Sequence, residues 1–438
     1  MAVSPLVFPT SSSLTSPLKR QPSQQTTTTT GNNSSNGTPN FGGFGAPLSA
    51  AKAILSNNNS HQDPSSSFSS SASTPSPSLT LDPIEQMNEL EKRKYVKGRK
   101  LGEGTYANVY LGHSRSDPSV HVAIKKIKVQ AQYNDGLAPD AVRELKHLQE
   151  LRGHPNIIQL YSVFSSKDQN LNLVLEYLPL GDLEMLIKDV DRVRYGAGDI
   201  KAWMGMLTRA VWFCHENYVL HRDIKPNNLL IAADGEVKLA DFGLARGFCD
   251  PGWRMTANVI TRWYRPPELL FGARHYSGAV DIWSVGMVFA ELIIRTAYLP
   301  GNTEVEQIAL ICKQIGTPTE DNWPGVTQLR EYTVPSEITP VWGKEAYMGR
   351  FGAVGSEGVD LLVRTLALDP KKRITAREML EHKWWRTEPK PTRKEDLPKK
   401  SGGGEEKMGA DLKRRNGVLE EENRGSKVAR KLDFGAMK

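Results

Sequence analysis

Between Tyr95 and Leu178 the apolar residues come in short β-branched runs, Val109-Tyr110-Leu111, Val120 to Ile127 and Leu171 to Leu175. Runs of this length, bounded by polar and turn-forming residues, predict strands. One stretch breaks the pattern. From Ala141 to Leu151, positions 145, 148 and 151 return at helical spacing, and Glu144 precedes Leu148 by about one turn. After Leu178 the period changes for good: Ile200, Trp203, Met204, Leu207, Val211 and Cys214 repeat at three and four behind Asp199, a candidate helix cap. Val285 to Leu299 is the richest apolar stretch; Glu291 and Arg295 interrupt it, so it reads as a buried core helix and not a membrane span. The expected class is α+β with two lobes, a small mainly β lobe over 95–178 with one helix and a larger helical lobe over 179–386. A cleft between lobes is the usual place for a ligand.

The flanks read differently. Residues 1–84 are dominated by Ser, Thr, Asn, Gly and Pro, with runs such as Thr26 to Thr30, and hold too few large apolar groups to offset chain entropy. They are expected to form a disordered arm. Residues 387–438 are rich in charge, Pro and Gly and are expected to form a basic, solvated tail. More than half of the net charge of +7 sits there: 387–438 holds 14 Lys and Arg against 10 Asp and Glu, whereas 95–386 holds 36 against 34. A basic pI therefore says little about the folded part. Lys413-Arg414-Arg415 and Arg424 to Lys431 fit a nuclear-import or RNA-binding patch as well as a plain soluble tail, which leaves direct nucleic-acid binding open. Cys214, Cys249 and Cys312 have no paired spacing, which argues against a disulfide framework or a zinc site.

Candidate chemistry follows the strands in order. Leu101-Gly102-Glu103-Gly104-Thr105-Tyr106-Ala107-Asn108-Val109 is a glycine-rich turn whose bare backbone lets N–H groups approach a triphosphate. Ala123 and Lys125 lie on the next strand, placing an ammonium where it would hold phosphate oxygens, and Glu144 on the helix offers that ammonium a partner. His221-Arg222-Asp223-Ile224-Lys225-Pro226-Asn227-Asn228 then supplies a carboxylate to accept a hydroxyl proton, Asp223, and an ammonium to neutralise the transferred group, Lys225. Asn228 and Asp241, the latter in Asp241-Phe242-Gly243, are the candidate ligands for Mg²⁺. Two pairings away from the nucleotide test the series: Glu268 with Arg373, and Asp281 beneath the catalytic loop.

On these motifs residues 95–386 resemble the cyclin-dependent kinases, and more narrowly the cyclin-dependent kinase-activating kinases of general transcription factor H. The narrower likeness rests on Lys126-Ile127-Lys128, Leu148-Gln149-Glu150-Leu151, Asp182-Leu183-Glu184 and Leu269-Leu270-Phe271-Gly272-Ala273-Arg274. It implies an ATP- and Mg²⁺-dependent serine/threonine kinase that binds a cyclin, with an assembly factor and the transcription factor as further partners, acting in the nucleus on the RNA polymerase II C-terminal domain and on other cyclin-dependent kinases. No membrane association is expected. It also implies that Glu176, Leu178 and Leu230 frame adenine, that Thr256 is an activating phosphosite whose phosphate is collected by Arg143, Arg222 and Arg246, and that Ile260 and Arg265 shape a pocket for proline after the target hydroxyl. Phosphate on Thr105 or Tyr106 would repel the nucleotide and act as a brake. Two departures keep alternatives open. Ala138-Pro139-Asp140 differs from the activating kinase's usual helix start, and Pro266-Pro267-Glu268 from the commoner Ala-Pro-Glu. Another transcriptional or cell-cycle cyclin-dependent kinase, or a non-catalytic cyclin-binding scaffold, would carry much of the same sequence.

Overall fold

A computed structural model describes residues 82–103, 107–128, 139–166, 170–248, 254–333 and 337–399. All of them belong to one compact unit, Ser78–Lys438. The arm over residues 1–81, Gly104, Thr105 and Tyr106 of the glycine-rich turn, and residues 400–438 of the tail lie outside the described residues.

The smaller lobe is a five-stranded antiparallel sheet in the order β1-β2-β3-β5-β4. Its strands are β1 (Tyr95–Glu103), β2 (Ala107–Ser114), β3 (His121–Ile127), β4 (Leu160–Ser165) and β5 (Leu171–Glu176). Leu101, Val109, Ala123, Leu173 and Leu175 turn to one face and join the main core, while Val122, Ile124 and Val174 turn to the other. That alternation is what the period of a strand requires. Helix α2 (Pro139–Glu150) buries Ala141, Glu144, His147 and Leu148 along one side.

Ahead of the sheet stands α1 (Pro83–Arg93), whose cap Asp82 and first residues Pro83 and Ile84 fall within the expected arm over 1–84 and which runs on to the expected lobe. Asp82 caps it by accepting from the Ile84 N–H at 3.0 Å, and Pro83 opens the first turn, where a missing donor costs nothing. Its docking is polar. Glu91 accepts from the Ser162 hydroxyl at 2.6 Å, and the Asn88 amide engages both the N–H (2.6 Å) and the C=O (3.0 Å) of Ser165 on the edge strand β4. Such pairing occupies backbone groups that an edge strand otherwise offers to another chain.

The larger lobe is built from α3 (Leu183–Lys188), α4 (Ala197–Glu216), α5 (Pro267–Leu270), α6 (Ala279–Ile294), α7 (Glu304–Gln314), α8 (Lys344–Phe351), α9 (Gly355–Thr365) and α10 (Ala376–Glu381). Two short ribbons, β6 (Val219–Leu220) with β9 (Arg246–Gly247) and β7 (Leu229–Ile231) with β8 (Val237–Leu239), carry the catalytic loop. The cap of α4 is one detail in which the structure differs from the sequence reading: Gly196 is the cap, and Asp199 stands at the third helical position, accepting from the Gly196 N–H at 2.8 Å. A carboxylate reaching back this way is half of a capping box. Among the described residues no helix is long and apolar enough to cross a membrane.

The expected tail boundary at Thr387 also needs correction. Residues 387–399 follow the larger lobe as an ordered strap. Lys201 on α4, almost fully buried, donates to the Thr387 carbonyl (2.9 Å), the Thr387 hydroxyl (3.1 Å) and the Pro389 carbonyl (2.8 Å). Lys394 bonds Asp234 at 2.6 Å and Glu236 at 3.1 Å, and Leu397 is buried. At Gly235, in the β7–β8 turn with φ +91, a Cβ would lie 1.9 Å from the Lys394 carbonyl oxygen, so only glycine admits the strap there. A polar composition concealed the segment, because its anchors are backbone carbonyls, polar side chains and a single buried leucine.

Candidate active site

Strand β3 and helix α2 bring Lys125 and Glu144 together, with Nζ 2.7 and 2.8 Å from the two carboxylate oxygens. Lys125 Nζ also lies 3.7 Å from Asp241 Oδ1. The ammonium therefore stands between the carboxylate that orients it and the one expected to ligate metal. Leu101, Val109, Ala123, Leu175 and Leu178 are buried in one continuous cluster, and Leu230 packs half-buried against it. Gly102 pairs with Val109 across the β1–β2 hairpin and Glu103 with Asn108. The Glu103 side chain is exposed and bonds Lys128 at 3.2 Å and Lys100, so only its backbone faces the hairpin. The Glu176 carboxylate is held by Lys238 at 3.1 Å.

The catalytic loop is organised from below by Asp281, fully buried near the start of α6. One carboxylate oxygen accepts from the His221 N–H at 2.9 Å and from His215 at 3.0 Å; the other accepts from the Arg222 N–H at 2.9 Å. Burial alone would push this carboxyl up, but the His215 contact, the nearby imidazoles and the Arg222 amide outweigh it and hold Asp281 below the usual carboxylate range. These bonds secure Arg222 in the left-handed region, φ 62, which a non-glycine residue adopts only at a cost. Burial pushes the His221 imidazole down, so the ring is neutral; Nε2 donates to the Ala240 carbonyl at 3.0 Å while Nδ1 accepts from the Asp223 N–H at 3.2 Å. Its ring packs edge-on against Phe242, 4.7 Å away.

At the centre Asp223 is 2% exposed and surrounded by donors. The Asn228 amide donates to the Asp223 carbonyl (2.7 Å) and to Oδ2 (3.1 Å), Lys225 Nζ lies 3.0 Å from Oδ2, and the Thr261 hydroxyl donates to Oδ1 at 2.9 Å. Lys225 also donates to Thr261 at 3.1 Å. Thr261 thus belongs to the site although no motif marked it. It reaches Asp223 only because the activation segment returns to the catalytic loop, and that return is a tertiary event with no local signal.

With its NH₂ group committed to Asp223, Asn228 presents only its amide oxygen as a ligand, and Asp241 presents carboxylate oxygens. An all-oxygen donor set fits Mg²⁺. Asp241 takes a left-handed backbone, φ 62 and ψ 73, which turns the side chain back toward Lys125.

The three arginines expected around a phosphate at Thr256 are each engaged with a different oxygen. Arg143 pairs with Asp140 on its own helix at 2.7 Å, and Arg246 reaches the Arg254 carbonyl at 3.5 Å. Arg222 donates to the Leu244 carbonyl and to the Tyr276 hydroxyl, both at 2.8 Å. Each guanidinium thus has an oxygen acceptor without any phosphate on Thr256. Thr256 is exposed between buried Met255 and Ala257. Ile260, buried at φ 68, turns its carbonyl to the Arg265 guanidinium, which donates from Nε (3.2 Å) and from one terminal nitrogen (3.1 Å) while its other terminal nitrogen meets Glu304. Arg373, fully buried, grips both oxygens of Glu268 at 2.7 and 3.0 Å, which ties the end of the activation segment to the loop before α10.

Comparison with known proteins finds relatives across the folded part of the chain. The family model described as "Protein kinase domain" matches residues 95–385. The serine/threonine-protein kinase KIN28 of Saccharomyces cerevisiae is 48% identical over 299 residues, 68% of this chain and 95% of the relative. Cyclin-dependent kinase 7 of Dictyostelium discoideum is 43% identical over 308 residues, 70% of this chain and 83% of the relative. A chain in the structure of the CAK complex from Chaetomium thermophilum bound to ATP-γ-S is 85% identical, covers 74% of this chain and 100% of its own length, and superposes with a TM-score of 0.72.

Proposed function

Since this chain belongs to the protein kinase family, as a cyclin-dependent serine/threonine kinase of the activating type, we propose that it uses ATP and Mg²⁺ to phosphorylate Ser-Pro and Thr-Pro hydroxyls in the RNA polymerase II C-terminal domain and in the activation segments of other cyclin-dependent kinases. A cyclin seated on α2 would hold Glu144 against Lys125, with an assembly factor and general transcription factor H as further partners in the nucleus.

In this reading Asp223 accepts the proton of the attacking hydroxyl while Lys225 neutralises charge on the transferred group. Thr261 holds Oδ1 of that carboxylate, while Asn228 and Lys225 hold Oδ2. Lys125 holds the α- and β-phosphates, Asn228 and Asp241 hold the metal, and Glu176 to Leu178 offer backbone groups to adenine. The bound metal would offset the negative charge of the phosphate oxygens.

The observation that carries the substrate class is the capture of the Ile260 carbonyl by Arg265. That carbonyl, turned away, cannot accept from the residue following the target hydroxyl. An ordinary residue there would bury an unpaired N–H, at a cost of about 1–3 kcal/mol. Proline has no N–H to lose. Thr256 lies before Ala257, so on this logic its phosphate comes from a different enzyme.

The test is to purify the protein with its partners and assay it on a polymerase C-terminal-domain peptide and on an unphosphorylated cyclin-dependent kinase. Activity on both is expected. Activity on neither, with cyclin bound and Thr256 phosphorylated, refutes the reading. Asp223→Asn should abolish turnover and keep nucleotide binding, and replacing the following proline by alanine in the peptide should lower kcat/KM at least tenfold.

A further inference from the structure

We propose that Tyr276 is a positioning residue whose hydroxyl joins the catalytic loop to the activation segment when Thr256 carries no phosphate, so that the unphosphorylated enzyme retains an ordered segment. This rests on the reading of Thr256 as the activating phosphosite.

Tyr276 lies in the connection between α5 and α6, half-buried. Its hydroxyl has one proton to give and lone pairs to offer, and both capacities are used. It donates to the Thr256 carbonyl at 2.8 Å and accepts from the Arg222 guanidinium at 2.8 Å. The same connection supplies a second tie one residue earlier in the segment, where the Met255 N–H donates to the Arg274 carbonyl at 2.7 Å. Residues 255 and 256 are thereby held at two backbone points while the Thr256 side chain stays outside, accessible to a kinase.

At its other end the bridge is anchored on a rigid group. Arg222 is 3% exposed, its backbone N–H is bound by Asp281, and its Nε is bound by the Leu244 carbonyl. Asp223, the next residue, is the proposed base. Any tether on the Arg222 guanidinium therefore fixes the activation segment relative to the reacting centre. Phosphate on Thr256 would make a second connection between these same two residues through the threonine side chain, as a charge-assisted contact. Thr256 thus has two handles, its carbonyl through Tyr276 and its hydroxyl through phosphate. Where phosphate is present, the first handle is partly redundant; where it is absent, the hydroxyl of Tyr276 carries the connection.

Tyr276→Phe removes one oxygen and keeps the ring. It leaves a guanidinium N–H and a carbonyl without their shared partner. Wild type and variant, each as the purified cyclin complex, are compared after full phosphorylation of Thr256, verified by mass spectrometry, and after phosphatase treatment. In the unphosphorylated pair we expect kcat/KM for peptide to fall about tenfold, the loss of one hydrogen bond to a charged group. In the phosphorylated pair the fall stays below about threefold, with KM for ATP unchanged in both. Backbone amide exchange over residues 254–260 quickens in the unphosphorylated variant alone, a measurement independent of turnover. Equal losses in both states, or no loss in the unphosphorylated state, overturn the proposal. Thr256→Ala separates the two readings: if it matches fully active wild type and no phosphate is ever found, the phosphosite reading fails. A tenfold loss in Tyr276→Phe on that unmodified enzyme still supports the hydroxyl bridge, and its absence removes the bridge as well.

Discussion

Lys125 and Glu144, one on a strand and one on a helix, share two hydrogen bonds of 2.7 and 2.8 Å, and the Glu144 side chain is only 5% exposed. The geometry expected of a competent site is therefore already present in the chain by itself. Removing one member of a buried ion pair leaves the other charge uncompensated. Glu144→Gln keeps the shape and removes the charge, and the ammonium is then drawn to Asp241, now 3.7 Å away. We expect kcat/KM to fall about a hundredfold, with most of the loss in kcat, and only a small change in melting temperature. Steady-state kinetics on the cyclin complex checks this; an unaltered kcat would show that the pair is ornamental to turnover.

Asp281 makes a parallel prediction for the larger lobe. Its two oxygens take three donors from the catalytic loop and from α4. Asparagine supplies one oxygen, so at least one buried N–H loses its acceptor and Arg222 loses part of what holds it at φ 62. Asp281→Asn should cost about 3 kcal/mol in stability and lower kcat with little effect on KM for ATP. The sign with pH follows from the depressed carboxyl. Stability from a folded-state pKa below the unfolded value is present above that unfolded value and disappears as pH falls through the folded one. The variant should therefore lose part of the wild type's acid sensitivity below about pH 4, read from denaturant midpoints.

Much of this site is legible in the sequence because chain order itself places it. The glycine turn, Lys125, Glu144, Asp223, Asn228 and Asp241 lie on consecutive elements, and Asp281 and Glu268 open helices whose apolar faces are evident. What the sequence conceals are partners set by long returns of the chain. Thr261 contacts Asp223, Tyr276 joins Arg222 to Thr256, and Lys201 collects carbonyls from the strap. None has a period or a spacing. Arg143 shows the converse, since a local acid, Asp140, holds the guanidinium that family likeness assigns to phosphate. Helix α1 was hidden for a different reason: Ile84, Met87 and Leu90 form an apolar stripe that remains exposed, while polar side chains do the docking.

Glu291 gives a pH dependence of the opposite sign. It lies in α6, 4% exposed, accepting from the Tyr264 hydroxyl at 2.6 Å. Burial, more than any other influence, pushes its carboxyl up to about 7. The folded protein therefore binds this proton where the unfolded chain has released it, and stability falls as pH rises from about 4.5 to about 7. Glu291→Gln keeps an acceptor for Tyr264 and removes the titration. Relative to wild type, the variant should gain stability at pH 8, by an amount on the order of 3 kcal/mol at most, and much less at pH 5, just above the unfolded-state value of 4.5. Melting curves across that range test it; an equal difference at both pH values rules out the titration of Glu291 as the cause.

The strap predicts where the chain tolerates truncation. Ending the protein after Arg386 would strip Lys201 of all three oxygens and remove the strap that covers its ammonium in the intact chain. Lys394, drawn upward chiefly by its bond to Asp234, would be lost with the cover over Gly235. Ending it after Lys399 keeps every one of these contacts. We expect the shorter form to melt about 5 °C lower and to lose activity on heating sooner, whereas the longer form matches the full chain. Lys201→Met in the full chain replaces the ammonium with an apolar side chain of similar length and should cost less than the truncation, because the strap retains Leu397 and the Lys394 contacts. Should the form ending at Arg386 melt with the full chain, residues 387–399 contribute nothing to the lobe and the tail begins where composition placed it. For the same reason, any nucleic-acid binding by the basic tail is best assayed with the form ending after Lys399, which removes Lys413-Arg414-Arg415 and Arg424 to Lys431 without disturbing the lobe.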